Sequence, residues 1–562
     1  MSQFTATHIE AVQQMTRAGA PFELIEHQHN QVSLKAFKNA ETSLSTLMQP
    51  GRNFGAQCFV EYGPQQLNFE QFFDAVDRLT TTLQQQFNIK KGVRVAIAMR
   101  NRPEWLVAFV AIINAGAVVV PLNSWGKQEE LTQGLDDSDA SLLICDAQRF
   151  EFAAVATSDL PSILIDGRDD QQPTAHWQVL LAAADPSAAV TIQTTPEDPA
   201  ILLFTSGTSG RPKGALFTHF NCCQALMNIE LIGATTYMTN MEAINQQLAV
   251  GPPAKTLLAV PLFHISGLFS QFIINLRHGR GIYMMYKWDA NEALKLVKES
   301  GITVVMGAPT MLLDLLNHTD FSAEDAAAIS NISAGGAATP KILHDLYRHK
   351  TPTTLAGAGW GLTESGGSGA AVTGSFLRER PGTAGFLSPI VEFSFRDEHG
   401  AHCPSGGVGE MWIRSATCIT GYVSGDTDGS DFEDGWFKTG DMGYLSDEGL
   451  LYVVGRSKDL IIRGGENIYP AEIENCLMTL PGCLESAVIG LPSDYWGEEI
   501  AVVLLMSSDS NPLAEEVQSF TRQHLAGFKV PQYICFANTP LPRNALNKLL
   551  KREIREHYFP AT

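Results

Sequence analysis

The sequence predicts an α/β protein: a large N-terminal domain of two mainly parallel α/β subdomains with a small β-barrel-like part, followed by a small α+β C-terminal domain. Three observations predict it. Short apolar strand-like runs alternate with helical patterns through most of the chain, the pattern of a parallel sheet. From about residue 382 the texture breaks into short strands punctuated by Gly, Pro and Asp. After Arg456 it changes again, to a mixed helix and strand pattern of roughly 100 residues. The chain has 562 residues, too many for one core, so about three to four domains or subdomains are expected.

The elements follow in order. VRVAIAMRN (94–101) reads as a strand ending in a polar turn. PEWLVAFVAIINAGAVVVPLN (103–123) gives an apolar helix, a Gly stop and a second strand. SLLICD (141–146) and SILIDG (162–167) are short strands ending in Asp. The pattern resumes with TLLAVPLFH (256–264), GIYMMY (281–286), ITVVMGAP (302–309) and NISAGGA (331–337). The barrel-like part covers about 382–455. Beyond it, AEIENCLMTL (471–480) and EEVQSFTRQHLAG (515–527) read as helices, and ESAVIGLPS (485–493) and EIAVVLLMSS (499–508) as strands. The domain boundary is expected at 455/456, giving 1–455 and 456–562.

Composition narrows the function. The formal net charge of −21 argues against non-specific nucleic-acid or anionic-membrane binding, though a local cluster of cations can still hold an anionic small ligand. Nine cysteines occur without a CxxC or a zinc-like His/Cys spacing, so reduced thiols are expected. MSQFTATHIEAVQQMTRAG lacks a signal peptide's apolar core. No run of about eighteen apolar residues predicts a transmembrane helix. The cytoplasm is the expected compartment.

After the apolar run ending at Phe204 comes TSGTSGRPKG, Thr205 to Gly214. Glycines allow sharp turns and close approach to a ligand. The hydroxyls of Thr205, Ser206, Thr208 and Ser209 can donate, Lys213 supplies a movable charge, and the set suits a phosphate chain. The P-loop template G-x-x-x-x-G-K-[ST] fails here, which disfavours a Walker ATPase.

TSGTSGRPKG resembles the signature loop of the adenylate-forming superfamily, which includes acyl-CoA synthetases, aryl-CoA ligases, luciferases and peptide-synthetase adenylation domains. PLFHISG (261–267), SAGGA (333–337), GWGLTES (359–365), GWFKTGD (435–441), GRSKDLIIRGGENIYPAEIE (455–474) and PRNALNKLLKREI (542–554) resemble its other motifs in order. The resemblance spans roughly residues 50–555 and implies two steps. A carboxylate attacks the α-phosphate of ATP, giving acyl-adenylate and pyrophosphate; a thiol, commonly that of CoA, then attacks the acyl carbonyl.

By the same resemblance the loop residues Thr205, Ser206, Gly207, Thr208, Ser209, Gly210 and Lys213 hold the β- and γ-phosphates. Glu364 is the Mg²⁺ carboxylate, a hard oxygen ligand suited to that ion, and Thr363 contacts the α-phosphate. Trp360 stacks on adenine beside Gly361, and Gly335, Gly336 and Ala337 pass between adenine and acyl group. Asp441 accepts from the ribose hydroxyls, and Arg456 is the cation near ribose and phosphate. Lys548 is the C-terminal catalytic lysine, with Lys551 its rival because Asn547 replaces the Gly usual before that lysine. His264 gates or positions the acid at the acyl-pocket wall and is not expected to be a general base. Lys458 is the hinge of a mobile C-terminal domain, and Gly464, Gly465 and Trp496 flank the CoA thiol route.

The stretch from Met227 to Met311 is rich in Ile, Leu, Met and Phe, which predicts an apolar acyl pocket without a charged partner. The segment from Gly233 to Lys255 reads as a surface insertion. The N-terminal segment APFELIEHQHNQVSLKAFKNAETSL is similar to that of bacterial fatty acyl-CoA synthetases and favours a medium- or long-chain acid. An aryl-CoA ligase, an enzyme loading a carrier protein and a catalytically silent scaffold stay open, as does a homodimer. The expected cofactors and co-substrates are ATP, Mg²⁺ and CoA.

Overall fold

The computed structural model describes residues 2–29, 32–154, 159–167, 171–205, 212–251, 253–337, 339–423, 431–544 and 548–560. Two large sheets carry the N-terminal part. In the first, seven strands lie in the order Lys213–Thr218, Pro199–Thr205, Val118–Pro121, Arg94–Ala98, Leu142–Cys145, Ser162–Leu164, Ala175–His176. The pair Pro199–Thr205 and Lys213–Thr218 is antiparallel and the other pairings are parallel. Every residue of Val118–Pro121 and of Leu142–Cys145 is buried, as a parallel sheet covered on both faces requires. Helix Pro103–Asn114 starts with Pro at its first turn and buries nearly its whole surface.

The second sheet runs parallel through Cys58–Tyr62, Gly281–Met284, Lys255–Leu258, Val304–Gly307, Asn331–Ala334 and Leu355–Trp360. It then turns antiparallel through Ala370–Thr373, Thr383–Leu387, Leu450–Arg456, Trp436–Leu445, Gly409–Ser415 and Val391–Arg396. The part expected to be barrel-like is therefore antiparallel, but among the described residues it closes no barrel. Strand Thr383–Leu387 pairs with both Ala370–Thr373 and Leu450–Arg456, and this makes the part a continuation of the central sheet. The run expected as a strand over 256–264 ends at Leu258.

The C-terminal part has its own five-stranded sheet, built on the hairpin Cys483–Ser493 and Gly497–Met506 with Tyr533–Ala537 parallel beside it. Helices Pro470–Leu477 and Ala514–His524 bury their apolar stripes against that sheet. The expected surface insertion is helical: His219–Thr239 runs on, and Met241–Val250 follows it. At the N-terminus, helix Gln3–Thr16 docks by Phe4 on Phe376 (ring centroids 4.4 Å) and His8 on Phe386 (4.0 Å). All nine cysteines are unpaired. Among the described residues no helix is long and apolar enough to cross a membrane.

Candidate active site

The C-terminal ends of the parallel strands of both sheets open onto one cleft of about 3280 Å³. Crevices beyond the carboxyl ends of parallel strands are where α/β folds bind ligands, and this volume exceeds the roughly 300–1,000 Å³ of a single small-molecule pocket. Asn101 ties the two sheets together at this edge. Its buried amide donates to Val260 O (3.0 Å) and accepts from Leu262 N (3.1 Å), which fixes the start of PLFHISG.

Thr205 and Lys213 face each other in register at the end of the antiparallel pair; Ser206, Gly207, Thr208, Ser209 and Gly210 lie outside the described residues. Lys213 Nζ donates to Asp431 (2.7 Å) and lies 4.9 Å from the centre of the Tyr422 ring. The Tyr422 hydroxyl in turn donates to Glu364 Oε1 at 2.8 Å. Burial and the neighbouring Glu364 push the Tyr422 phenol above its ordinary pKa, so it remains a donor. Glu364 sits with Thr363 in one 3₁₀ turn, Thr363–Ser365. That turn is pinned from outside, because Ile419 N donates to Glu364 O (3.0 Å) and the Thr417 hydroxyl to Ser365 O (2.9 Å).

Trp360 ends its strand on the cleft wall, 8% exposed, with Gly361 next to it. Its indole N–H donates to Asp441 Oδ2 at 2.8 Å, and Arg456 Nε donates to Asp441 Oδ1 at 2.7 Å. Each carboxylate oxygen keeps a lone pair for a further donor. Gly335, Gly336 and Ala337 follow strand Asn331–Ala334, with Gly335 N held by Gly307 O at 3.0 Å. Gly336 has φ +80°, a conformation few side chains accept, and a Cβ there would meet only open cleft.

Lys548 reaches the same cleft from the C-terminal part. Burial lowers its pKa, Arg456 and Lys458 lower it further, and Asp441 and Glu364 oppose them. Lys551, the rival, pairs with Glu474 at 2.8 Å within its own part of the chain. Lys458 lies in the 3₁₀ turn Ser457–Asp459, directly after strand Leu450–Arg456, and also lines the cleft. His264 is held neutral, its pKa lowered to about 3 by burial and then by Lys548. Its Nε2 is buried without a partner among the described residues.

Gly464, Gly465 and Trp496 come together away from these walls. The two glycines form the tight turn between Ile461–Arg463 and Glu466–Ile468, with φ +60° and +85°. Gly464 N donates to Trp496 O at 2.8 Å, and the Arg463 guanidinium covers the Trp496 ring at 4.7 Å.

The expected apolar acyl lining is present in part: Ile229, Ile232, Phe263, Ile274, Met306 and Met311 line the cleft, with polar and charged residues among them. Leu268, Phe269 and Phe272 are buried in the core, because Ser266–Ile273 winds as a π-helix whose other face carries Ser266, Ser270 and Gln271 to the cleft. Charged Glu230, His278 and Arg280 also line it. Sequence reasoning missed these residues, as well as Tyr422 and Asp431. No spacing rule marks the Tyr and Asp, whose positions flanking 424–430 become meaningful only when Lys213 and Glu364 are near.

Comparison with known proteins decides the family. The AMP-binding enzyme profile matches residues 49–423, and the AMP-binding enzyme C-terminal domain profile matches 472–548. The chain belongs to the AMP-binding enzyme family. Within this adenylate-forming family it is 33% identical over 498 residues to a 2-succinylbenzoate–CoA ligase of Bacillus velezensis, covering 87% of this chain and 93% of the relative. It is 32% identical to the long-chain-fatty-acid–CoA ligase FadD13 of Mycobacterium tuberculosis, covering 84% and 89%. The solved structure of o-succinylbenzoate coenzyme A synthetase from Bacillus subtilis, in complex with ATP and magnesium ion, aligns with a TM-score of 0.73 at 27% identity, covering 92% of this chain and 99% of that one. As an AMP-binding enzyme with such relatives, the chain is an AMP-forming acid–thiol ligase.

Proposed function

We propose that this protein is an acid–CoA ligase that activates a carboxylic acid with ATP and Mg²⁺ and passes the acyl group to CoA. The convergence of Lys548 from the C-terminal part on Glu364 and on the Trp360–Asp441–Arg456 group carries this reading. In the first step the acid's oxygen bonds to the α-phosphorus while the bond to pyrophosphate breaks. The Lys548 ammonium lies where negative charge gathers on those oxygens, and such preorganised charge lowers the barrier most. Trp360 offers its face to adenine, and the open lone pairs of Asp441 accept the ribose hydroxyls. Thr205, Lys213 and the glycine-rich residues between them cradle the β- and γ-phosphates, with Lys213 exchanging Asp431 for phosphate; Thr363 reaches the α-phosphate.

Mg²⁺ fits the donor set. Glu364 has one oxygen engaged by Tyr422, and Mg²⁺ commonly takes one or two carboxylates plus phosphate oxygens. Bound there, it would offset the triphosphate charge. In the second step the CoA sulfur bonds to the acyl carbon, AMP leaves with the electron pair of the broken bond, and the thiol proton passes to solvent. Residues 456–562 would rotate about Lys458 between the steps, carrying Gly464, Gly465 and Trp496 towards the thiol route. Neutral His264 positions the acid at the cleft wall. An assay of AMP release tests the reading: it should require both an acid and CoA. Fatty acids of medium and long chain and aryl acids form the arms that separate the acid classes, and AMP formed with a carrier protein but not with CoA would overturn the CoA assignment.

A further inference from the structure

We propose that the acyl end of the cleft takes an acid bearing a second, anionic group at its far end, and that Arg280 is the residue that recognises it. This deepens the ligase reading above and rests on it. The cleft extends from the strand ends across the face of the second sheet. Val304 and Met306, and likewise Asn331 and Ser333, are the alternate, partly exposed residues of their strands and line it. Ile229, Ile232 and Gly233 of helix His219–Thr239 close it from above.

Register places Arg280 at the opposite end of this passage from the reacting group. Thr256 pairs with both Ile282 and Val304, so Arg280, two residues before Ile282, shares the cleft-facing side of Val304. Gly307, three residues beyond Val304, is level with Ala334 at the entry to SAGGA. The two levels are five residues apart, about 16 Å along the strands, and the long arginine side chain shortens that span.

At this far end the two carboxylates, Glu230 and Glu41, are already paired by other residues. Glu230 is engaged by Arg277 Nε (2.8 Å) and His278 Nε2 (2.8 Å), and Arg277 turns also to Glu41 (3.4 Å) and Leu47 O (2.9 Å). Among the described residues no hydrogen bond or ion pair holds the Arg280 guanidinium; Arg280 N alone is engaged, by Asn275 O at 3.0 Å. The side chain is exposed to the cleft, with Glu230 as the nearest opposing charge. A planar donor fork facing a passage suits bidentate pairing with a carboxylate. An alkyl or unsubstituted aryl terminus would leave it desolvated and unmatched, which sites built for a polar group penalise.

The test is kcat/KM for acyl-CoA formation with α,ω-dicarboxylic acids from adipic to dodecanedioic, against monocarboxylic acids of equal length. The wild-type protein should prefer a diacid, and Arg280→Met should reduce the diacid-to-monoacid ratio on the order of 30- to 100-fold, in keeping with the cost of truncating one side of a charge pair. Arg280→Lys, which keeps the charge but loses the fork, should reduce it less than about tenfold. Melting curves identify a variant that fails to fold, in which case the Lys variant and the wild-type preference decide. Turnover of monoacids at least equal to that of diacids, or a ratio unmoved by Arg280→Met, overturns the Arg280 assignment while leaving the ligase reading standing. Absence of CoA-dependent AMP from every acid overturns both.

Discussion

Lys548 and Trp360 show what single side chains are asked to do. Lys548→Ala should slow pyrophosphate release from ATP and acid by at least about a hundredfold, the usual scale for removing a preorganised charge. The same variant should still form thioester from pre-made acyl-adenylate and CoA; equal loss of both half-reactions would reject its role. Because burial and two cations lower its pKa, and the protonated form is the one that works, the first step should fall off with rising pH earlier than an ordinary lysine would dictate. A pH profile of pyrophosphate release checks this. Trp360→Phe keeps a ring but deletes the N–H that reaches Asp441 at 2.8 Å. Losing a partner of a buried carboxylate costs about 1–3 kcal/mol, so KM for ATP should rise about tenfold in steady-state assays.

At the scale of elements, the proposed function assigns the turn Ser457–Asp459 and the hairpin at Gly464 and Gly465 to the passage between the two half-reactions. Lys458→Pro locks φ at the proposed hinge; adenylate formation should survive it, and transfer to CoA should be largely lost in a coupled two-step assay. Gly465 has φ +85° with nothing within 4 Å of a built Cβ, so Gly465→Ala adds backbone strain of about 1–2 kcal/mol without a clash. Its effect should fall on thioester formation, with pyrophosphate release within about twofold of the unmodified protein. The strands themselves were legible in sequence because buried parallel strands read as apolar runs: VVVP and LLIC lie where the pattern puts them. The barrel-like reading was less so, since the pairing of Thr383–Leu387 with a strand before it and one far after it is a long-range choice.

For the whole molecule, acid should be destabilising. His219 Nδ1 accepts from Leu44 N at 3.1 Å, His344 Nε2 accepts from Gly382 N at 3.0 Å, and His8 stacks on Phe386. Burial lowers all three to about 4 from 6.5. Above pH 6.5 both folded and unfolded chains leave them neutral and they contribute no pH dependence. Below it only the unfolded chain binds the protons, so stability falls until the folded pKa is reached, at up to about 1.4 kcal/mol per pH unit for each histidine. Tm measured from neutral pH down to about pH 4 should drop steeply, and His219→Gln should flatten the slope.

Sequence by itself determined the layered α/β fold and, through its ordered motifs, the family. Gly, Ser, Thr, Lys and carboxylates leave their mark wherever the backbone must bend or charge must be held, and apolar periodicity records which faces are buried. Only the tertiary structure decided which residues share the cleft. Tyr422 meets Glu364 across 58 positions and Asp431 meets Lys213 across 218, separations no local pattern encodes. It also divided an apolar-looking stretch: the π-helical winding of Ser266–Ile273 sends leucine and phenylalanine to the core and serine and glutamine to the cleft, while Phe263 and Ile274 beside it still line the cleft. The reason is that composition reports how much apolar surface a segment carries, whereas helical phase and strand register set the direction in which each side chain points.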